Sequence, residues 1–321
     1  MTSLMTLEKQ PARSSDRKGL RAWLRALPHP SHVYEIAATH VAAARWGHMA
    51  GHLGAFFTEP LPEGAIVPSA TQANIANPDA LRSAIRSVLN RVPAQGQGVA
   101  LLVPDPVIRV FILSFDTFPR RADEALPLLR WRLKKILPFD ADEAVISWRR
   151  QQNREGKPEI VAAVARQKII REYEAAIEAH DMHAGVLQSS TLATLPLLDS
   201  ADATLLARLS GRNLTTVIAR GETLCVYRST EMGSGKLSPQ TVLDEVFPSV
   251  AFYQDTWGGK VERLRVAGFA GGEDEIREHL ARELDCEASP LARPGDLSES
   301  ARSLVSQGLE SLVGWHLHRG A

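Results

Sequence analysis

The apolar positions of residues 31–113 follow two different periods. Short runs rich in β-branched and aromatic residues, bounded by turn-forming residues, predict strands, and the first three are close enough to form a meander. Apolar residues that recur at helical spacing predict a helix over residues 79–91, with Asn77 as its cap and Pro78 at its first position. The strands are predicted at residues 33–38, 41–46, 52–57, 98–103 and 107–113.

Residues 114–180 carry a mixed pattern of helix and strand. Apolar residues at helical spacing predict a helix that ends at Pro138, and basic residues crowd its other positions from Arg130 to Lys135. This basic run is either a solvated face or a surface for an anionic partner or lipid headgroups. Two strands and a second helix are predicted at residues 145–149, 160–165 and 167–180.

A second α/β block begins near residue 200 and repeats the plan of the first. Its helices and strands are predicted at residues 204–209, 214–219, 223–228, 242–253, 264–267, 273–284 and 298–318. Pro248 lies inside one of the helices, which we therefore expect to kink or restart there. Both blocks have a meander followed by helix, strand and helix. This internal repeat of architecture indicates two related lobes that face a cleft.

The amino-acid composition excludes several classes of function. The 321 residues include 37 Lys or Arg and 37 Asp or Glu. The chain therefore has no net positive charge that would attract nucleic acid as a partner. Neither Cys225 nor Cys286 has a second metal-binding residue nearby at the spacing that metal sites use, so both are interpreted as core residues. Only two cysteines in a chain of this length also favour a reducing compartment. No segment approaches the ~20 unbroken apolar residues that cross a bilayer, and the N-terminus lacks a secretory pattern. We therefore expect a cytoplasmic protein.

The first 30 residues carry a short basic amphipathic pattern. Leu20, Trp23, Leu24 and Leu27 have helical spacing, and the basic residues around them are Arg17, Lys18, Arg21 and Arg25. One interpretation is that this segment contacts an anionic membrane surface or a partner. The other is that residues 1–30 form a flexible, solvated tail.

Several segments, taken in their order along the chain, resemble a known family. The most specific is Trp131–Phe139, a helix that ends in an aromatic Pro-Phe turn, followed by Asp142–Val145. The others lie at residues 61–67, 103–110, 161–180 and 249–253. Together they resemble PilM, the actin-like family of type IV pilus assembly proteins, over roughly residues 31–318.

The resemblance implies an α/β, actin-like (ribonuclease H-like) fold of two lobes, with an inserted α+β subdomain in lobe one. The corresponding expected division is a flexible tail (1–30), the core of lobe one (31–113), the inserted subdomain (114–180), the return to lobe one (181–199), lobe two (200–297) and a closing helix (298–321).

The resemblance also implies a partner. Members of this family bind the short cytoplasmic N-terminus of the membrane protein PilN and lie under the inner-membrane pilus platform, and many bind ATP between the lobes. The implied location is the cytoplasm, at the periphery of the inner membrane. Nucleic acid is not expected as a partner. The candidate partner-binding residues are Trp131, Leu137, Pro138 and Phe139.

The nucleotide site that the family implies is degenerate in this chain. Each of its two phosphate loops needs an Asp for Mg²⁺ and a Gly that lets backbone N–H groups approach the phosphates. Glu35 and Ala37 stand in the first loop, and Arg208 stands at or beside the second Asp position. Guanidinium is donor-only and always charged, so it cannot hold Mg²⁺. The loop equivalents are Glu35, Ala37, Thr39, Arg208, Ser210, Gly211, Gly268, Gly271 and Gly272. The last three correspond to the family's Gly-Gly adenosine turn, and here the bulky Phe269 lies between Gly268 and Gly271.

These departures predict a member that binds nucleotide weakly or not at all, and so no cofactor. Two alternatives remain open. Arg208 and Arg212 could bind phosphate directly without metal, or the second loop could be misaligned and ATP with Mg²⁺ could still bind. Glu35 has a plain structural interpretation as well, as a satisfied residue at the end of a buried strand.

Other motifs do not indicate chemistry. Residues 233–238 resemble part of a P-loop, but Thr230 replaces its first Gly and Leu237 follows Lys236, so a surface turn is favoured. The histidine pairs His48/His52 and His316/His318 are interpreted as surface or core residues. No hydrolase, zinc or redox signature occurs, so no catalytic or metal-binding residue is assigned.

The sequence therefore favours a binding scaffold, or pseudo-ATPase, of a type IV pilus or related secretion platform, which captures the cytoplasmic peptide of a PilN-like membrane protein and contacts other platform components. The alternatives are an actin-fold ATPase, or nucleotide-switched assembly protein, and a protein recruited to the membrane surface by its N-terminal segment.

Overall fold

The computed structural model describes residues 30–47, 53–198, 201–233, 235, 237–269, 271–291 and 297–317. Several predictions concern residues outside these ranges, namely the basic segment 17–27, the pair His48/His52, Lys236 and His318.

The described part of the chain contains both strands and helices, and several strands follow one another directly. The strands are β1 (His32–Ile36), β2 (His40–Trp46), β3 (Leu53–Pro60), β4 (Gly98–Val103), β5 (Arg109–Ser114), β6 (Ala144–Gln152), β7 (Pro158–Arg166), β8 (His183–Ser189), β9 (Ala203–Ser210), β10 (Asn213–Arg220), β11 (Thr223–Glu231), β12 (Arg263–Ala267) and β13 (Glu287–Ala288). The helices are α1 (Pro78–Arg91), α2 (Ala122–Leu133), α3 (Gln167–Glu178), α4 (Ser190–Thr194), α5 (Pro239–Trp257), α6 (Glu273–Leu284), α7 (Glu299–Ser306) and α8 (Glu310–Leu317).

Two five-stranded sheets have the same topology. Their strand orders are β3-β2-β1-β4-β8 and β11-β10-β9-β12-β13. In each, an antiparallel meander supplies three strands and the first of these pairs in parallel with a later strand, β1 with β4 and β9 with β12. We call the units built on these sheets lobe one and lobe two. The repeat of architecture predicted from the sequence is therefore present at the level of strand order.

A third sheet, β5-β7-β6, carries helix α2 and its own apolar core. This unit also contacts lobe two. The Arg149 guanidinium donates two hydrogen bonds of 3.1 Å to the carbonyl oxygen of Glu222, and the Gln151 side chain bonds both the N–H and the carbonyl of Leu224. Val161 of β7 shares an apolar cluster with Leu206 and other lobe-two residues. The insertion therefore connects the two lobes.

The prediction of α1 is confirmed in detail. The Asn77 side chain accepts a hydrogen bond of 3.0 Å from the N–H of Ala80, and Pro78 begins the helix. Asparagine at this position stabilises a helix because it satisfies a backbone donor that has no partner within the first turn. Helix α6 also has the predicted bounds.

Two predicted helix bounds are wrong, and one predicted restart does not occur. Helix α5 continues through Pro248 without restarting, because residues on both sides of the proline, such as Val246 and Val250, are buried in one core. The closing segment forms two helices, separated at Gly308, whose positive φ of 76° suits glycine. Helix α2 ends at Leu133 rather than at Pro138.

Strand β8 and helix α4 have no clear sequence signal. Only Val186 and Leu187 are large apolar residues in β8, and Gly185 interrupts the pattern. The strand forms because it pairs in parallel with the buried strand β4. Helix α4 then continues directly from it, with the Ser189 hydroxyl accepting a hydrogen bond from the N–H of Leu192.

The final helix, α8, packs against lobe one rather than lobe two. Trp315 is buried in the cluster that contains Val33 and Trp46, and the Trp46 and His316 rings stack with centroids 4.1 Å apart. Among the described helices, none has the length and the apolar character needed to span a membrane.

At Gly314 the backbone of helix α8 is in direct contact with the backbone of helix α4. A Cβ placed on Gly314 would lie 2.1 Å from the carbonyl oxygen of Ala193 and 2.9 Å from the Cα of Thr194. Only glycine allows this approach, which fixes the position of α8.

We expect Gly314→Ala to destabilise the fold by about 2 kcal/mol or more, because the clash with backbone exceeds the gain in helix propensity. Urea unfolding measures the change. Gly259→Ala is the matched control, since no atom lies within 4 Å of a Cβ added there. Equal stability of the two variants would contradict the close packing of α8 on α4.

Candidate functional site: a buried ion-pair cluster between the lobes

The β1–β2 and β9–β10 turns face each other across the junction of the lobes. A Cβ placed on Gly211, at the tip of the β9–β10 turn, would lie 3.3 Å from the Cβ of Ala38 in the β1–β2 turn. Gly211 has a φ of 59°, a left-handed conformation that favours glycine. The two hairpin tips are therefore in contact.

Arg208 lies near the end of β9, directly behind these tips. Successive side chains of a strand point to opposite faces. Leu205 and Ala207 belong to the core beneath the lobe-two helices, whereas Leu206 and Arg208 point toward lobe one. Only 3% of Arg208 is exposed to solvent. A buried guanidinium needs partners, because an unpaired buried charge is strongly unfavourable.

Three carboxylates from different elements surround this guanidinium. Its Nε lies 2.6 Å from Oε1 of Glu310, the first residue of α8. One terminal nitrogen lies 3.9 Å from Asp105, which follows β4, and the other lies 3.9 Å from Glu35 of β1. Burial would lower the pKa of Arg208, but the charges of Glu310, Asp105 and Glu35 outweigh it and raise the pKa above its usual value. We call these four residues the Arg208 cluster.

Asp105 is the most heavily hydrogen-bonded acid of the Arg208 cluster. Its carboxylate accepts hydrogen bonds from the Thr191 backbone N–H at 3.0 Å, from the Thr191 hydroxyl, and from the Thr215 hydroxyl at 2.7 Å. The Tyr227 hydroxyl donates a longer bond of 3.4 Å. Burial, followed by the charge of Asp105, raises the pKa of Tyr227 well above its usual value, so Tyr227 stays a neutral donor.

The Arg208 cluster carries more negative than positive charge. The Ser311 hydroxyl donates a 2.6 Å hydrogen bond to Glu35. Counted formally, one guanidinium and three carboxylates give a charge of 1 − 3 = −2. Within the part of the chain that is described, no group of three or more His, Cys, Asp or Glu side chains is placed to hold a metal ion. The Arg208 guanidinium is thus the cation that these acids surround.

Two solved structures match most of the chain. One is a chain of a PilM–PilN type IV pilus biogenesis complex, with 17% sequence identity, a TM-score of 0.70, and coverage of 91% of this chain and 98% of that one. The other is a Bacteroides thetaiotaomicron protein with an actin-like ATPase fold and unknown function, with 7% identity, a TM-score of 0.52, and coverage of 88% and 96%. The chain has the actin-like fold. No protein-family model and no curated protein sequence matches it.

The actin-like fold predicted from the sequence is therefore confirmed, as is the similarity to PilM at the level of structure. The turns that face each other are those expected to carry the two phosphate loops. In the first, the Ala37 N–H donates to the carbonyl of His40 at 2.9 Å, and the carbonyl of the exposed Thr39 accepts from Leu61. In the second, Ser210 pairs with Asn213 across the hairpin.

Of the three glycines expected to form the adenosine turn, Gly268 lies against strand β9. Gly268 has a φ of 83°, and a Cβ placed on it would lie 1.9 Å from the carbonyl oxygen of Leu209. The N–H of Gly268 donates to Glu273 at 2.8 Å, and that of Gly272 donates to the carbonyl of Phe269 at 2.9 Å. The Phe269 side chain is buried in the core of lobe two. Its bulk therefore fills the core of lobe two rather than the turn itself.

The second arginine considered for phosphate binding, Arg212, lies on the outside of the β9–β10 turn. Its guanidinium donates to the carbonyl of Met232 at 3.2 Å and lies 3.5 Å from Glu231. Arg208 donates to protein acceptors as well. Both guanidinium groups are engaged by the protein itself.

The four partner-binding candidates differ in their exposure to solvent. Trp131 is 58% exposed, with the Lys135 ammonium 5.2 Å from its ring centroid, and Pro138 is exposed. Leu137 and Phe139 pack, half-buried, against the core of the insertion. Of this set, Trp131 is the large side chain available to a partner.

The cysteines have structural surroundings. Burial raises the pKa of Cys225 to about 12 and that of Cys286 to about 11, so both thiols stay protonated at neutral pH. Neither is a reactive thiolate.

Sequence reasoning identified Glu35 and Arg208 but missed the residues that bind them. Asp105 and Glu310 have no local motif, and Glu310 is 102 positions from Arg208. One signal was available: Arg208 occupies an inward position in an otherwise apolar strand, which requires acidic partners elsewhere in the chain.

We expect Arg208→Met to destabilise the protein by about 3–5 kcal/mol, because three buried carboxylates lose their shared cation. The double variant Arg208→Met/Glu310→Met recovers part of this loss, since it also removes the nearest acid. Urea unfolding of both measures the difference.

Arg212→Met is the matched control for Arg208→Met, since Arg212 is exposed and its loss costs less than about 1 kcal/mol. If Arg208→Met were no more destabilising than this control, the Arg208 cluster would not hold the lobes together.

Proposed function

We propose that this chain is a nucleotide-independent adaptor of a type IV pilus or related secretion platform. In this role it lies at the cytoplasmic face of the inner membrane and binds the short cytoplasmic peptide of a PilN-like membrane protein. The likeness to the PilM chain supports the choice of platform. The Arg208 cluster supports the absence of a nucleotide.

An actin-like cleft that binds ATP needs an acid that holds Mg²⁺ and room for phosphates between the two hairpins. Here a guanidinium lies among the acids, 2.6 Å from Glu310. The tips of the hairpins touch at Gly211 and Ala38. The formal charge of −2 on the Arg208 cluster would repel a polyphosphate.

A fixed relation between the lobes suits a scaffold. The insertion contacts lobe two through Arg149 and Gln151. Leu192 of lobe one shares an apolar cluster with Leu206 and Leu224 of lobe two. Opening the lobes would expose these apolar residues and the buried charges together. We therefore propose that the protein transmits position as one body and does not switch between open and closed forms.

The insertion offers a place for the partner peptide. An extended peptide needs an apolar contact or a strand edge and no catalytic residue. Trp131 supplies an exposed aromatic side chain of the kind enriched at binding hot spots. We propose that Trp131 and Pro138 contact the peptide, and that Leu137 and Phe139 hold the turn that presents them.

Titration calorimetry with ATP, with and without Mg²⁺, tests the nucleotide-independent role. We expect no heat of binding, which corresponds to a Kd weaker than about 1 mM. Tight, Mg²⁺-dependent binding would instead favour an actin-fold ATPase or nucleotide-switched assembly protein.

Peptide binding is tested in two steps. A single-span membrane protein is first identified by co-purification with the tagged chain from its native host, and its cytoplasmic N-terminal peptide is then synthesised and labelled. We expect Trp131→Ala to weaken binding of this peptide about tenfold or more by fluorescence anisotropy, as for a hot-spot residue. Phe56→Ala, at an exposed position on strand β3 of lobe one, is the control. Unchanged affinity of Trp131→Ala would exclude Trp131 from the peptide site.

A further inference from the structure

The outer face of helix α5 exposes an apolar stripe. Phe247 and Phe252 are each 56% exposed, which is high for phenylalanine. Ala251 lies one turn after Phe247, and Pro248 lies one turn before Phe252. These four residues form one continuous patch, which we call the α5 stripe.

The α5 stripe has an acidic residue at each end. Asp244 lies one turn before Pro248, and Asp255 lies one turn after Ala251. The helix also contains Glu245 but no Lys or Arg. Pro248 has no N–H to donate to the carbonyl of Asp244, so that carbonyl can accept a hydrogen bond from another group. The face is thus apolar at its centre and rich in acceptors at its ends.

A second copy of α5 does not suit this face, because pairing would bring two acidic helices together. A basic amphipathic helix does, since it provides both an apolar stripe and cationic donors. The chain itself contains such a segment. Residues 17–27 place Leu20, Trp23, Leu24 and Leu27 at i, i+3, i+4 and i+7, with four Arg or Lys among them.

We propose that residues 17–27 dock on the α5 stripe, with their aromatic and leucine side chains on Phe247 and Phe252 and their basic residues beside Asp244 and Asp255. The basic amphipathic segment would then be an internal ligand of lobe two. This inference uses neither the Arg208 cluster nor the Trp131 surface, so it is independent of the proposed function.

The attachment of the segment limits its reach. The carbonyl of Pro30 accepts a 3.4 Å hydrogen bond from the indole N–H of Trp315, in the core of lobe one. Leu27 lies three positions before Pro30, a separation that spans at most about 10 Å. Helix α5 packs on β10, β11 and α6 of lobe two. The segment therefore binds the α5 stripe of its own chain only within this reach, and otherwise that of a second copy.

Photocrosslinking of the full chain tests the docking. The photoreactive analogue p-benzoylphenylalanine replaces Phe252, which keeps an aromatic ring at the centre of the stripe. We expect a crosslink to a tryptic peptide from residues 17–27, identified by mass spectrometry. A product with the mass of the monomer places the segment on its own chain, and one with the mass of a dimer places it on a second copy; both support the proposal.

Two variants test the chemistry of the contact. We expect Asp244→Lys/Asp255→Lys and, separately, Leu20→Asp/Leu24→Asp to lower the crosslink yield about tenfold each, a loss that corresponds to about 1.4 kcal/mol. The photoreactive residue at Phe56, an exposed position on strand β3 of lobe one, is the control and should give no crosslink to residues 17–27. Circular dichroism verifies that each variant is folded.

Other results would overturn the proposal. A crosslink from position 252 to residues 239–257 of a second copy would mark the α5 stripe as a self-association surface. A yield unaffected by both charge reversal and loss of the leucines would mean that the contact is non-specific. No crosslink at all would show that the segment does not bind there.

Discussion

The buried guanidinium of Arg208 constrains the whole molecule. Its acidic partners come from β1, from the segment after β4 and from α8, so the cation is satisfied only when three separate parts of the chain lie against β9. Such clusters contribute modest net stability, because desolvation offsets much of the attraction, but leaving one member unpaired is very unfavourable. The cluster therefore specifies one arrangement of the two lobes more than it strengthens either lobe.

Apolar contacts reinforce this arrangement on two sides of the charges. The cluster that joins Leu192 and Leu195 to Leu206 and Leu224 lies between the lobes, and Gly314 brings α8 against the backbone of α4. The carboxylate of Glu310 at the start of α8 is thereby held at a fixed distance from β9. Hydrogen bonds from Thr191 and Thr215 fix Asp105 in the same way. Packing thus positions the charges, and the charges exclude alternative packings.

Most strands and helices could be predicted from the sequence because their signals are local. The apolar period of α1 and the cap at Asn77 depend only on neighbouring residues. Strand β8 could not be predicted, since it is stabilised by pairing with β4 across 85 positions, as Gly98 with His183 shows. The continuity of α5 through Pro248 likewise depends on burial of both halves in one core. For the candidate site, the sequence identified Glu35 and Arg208, whereas Asp105 and Glu310 were found only through the three-dimensional contacts.

The order of the cluster residues along the chain has a consequence for biosynthesis. The ribosome makes Glu35 and Asp105 early, Arg208 two thirds of the way along, and the closest partner of Arg208 only at Glu310. Ser311, which bonds Glu35 from 276 positions away, follows immediately. Until residues 310 and 311 emerge, the Arg208 guanidinium lacks its nearest counter-ion and Glu35 lacks its hydroxyl donor. Helix α8 therefore completes a cluster whose other members are made long before it.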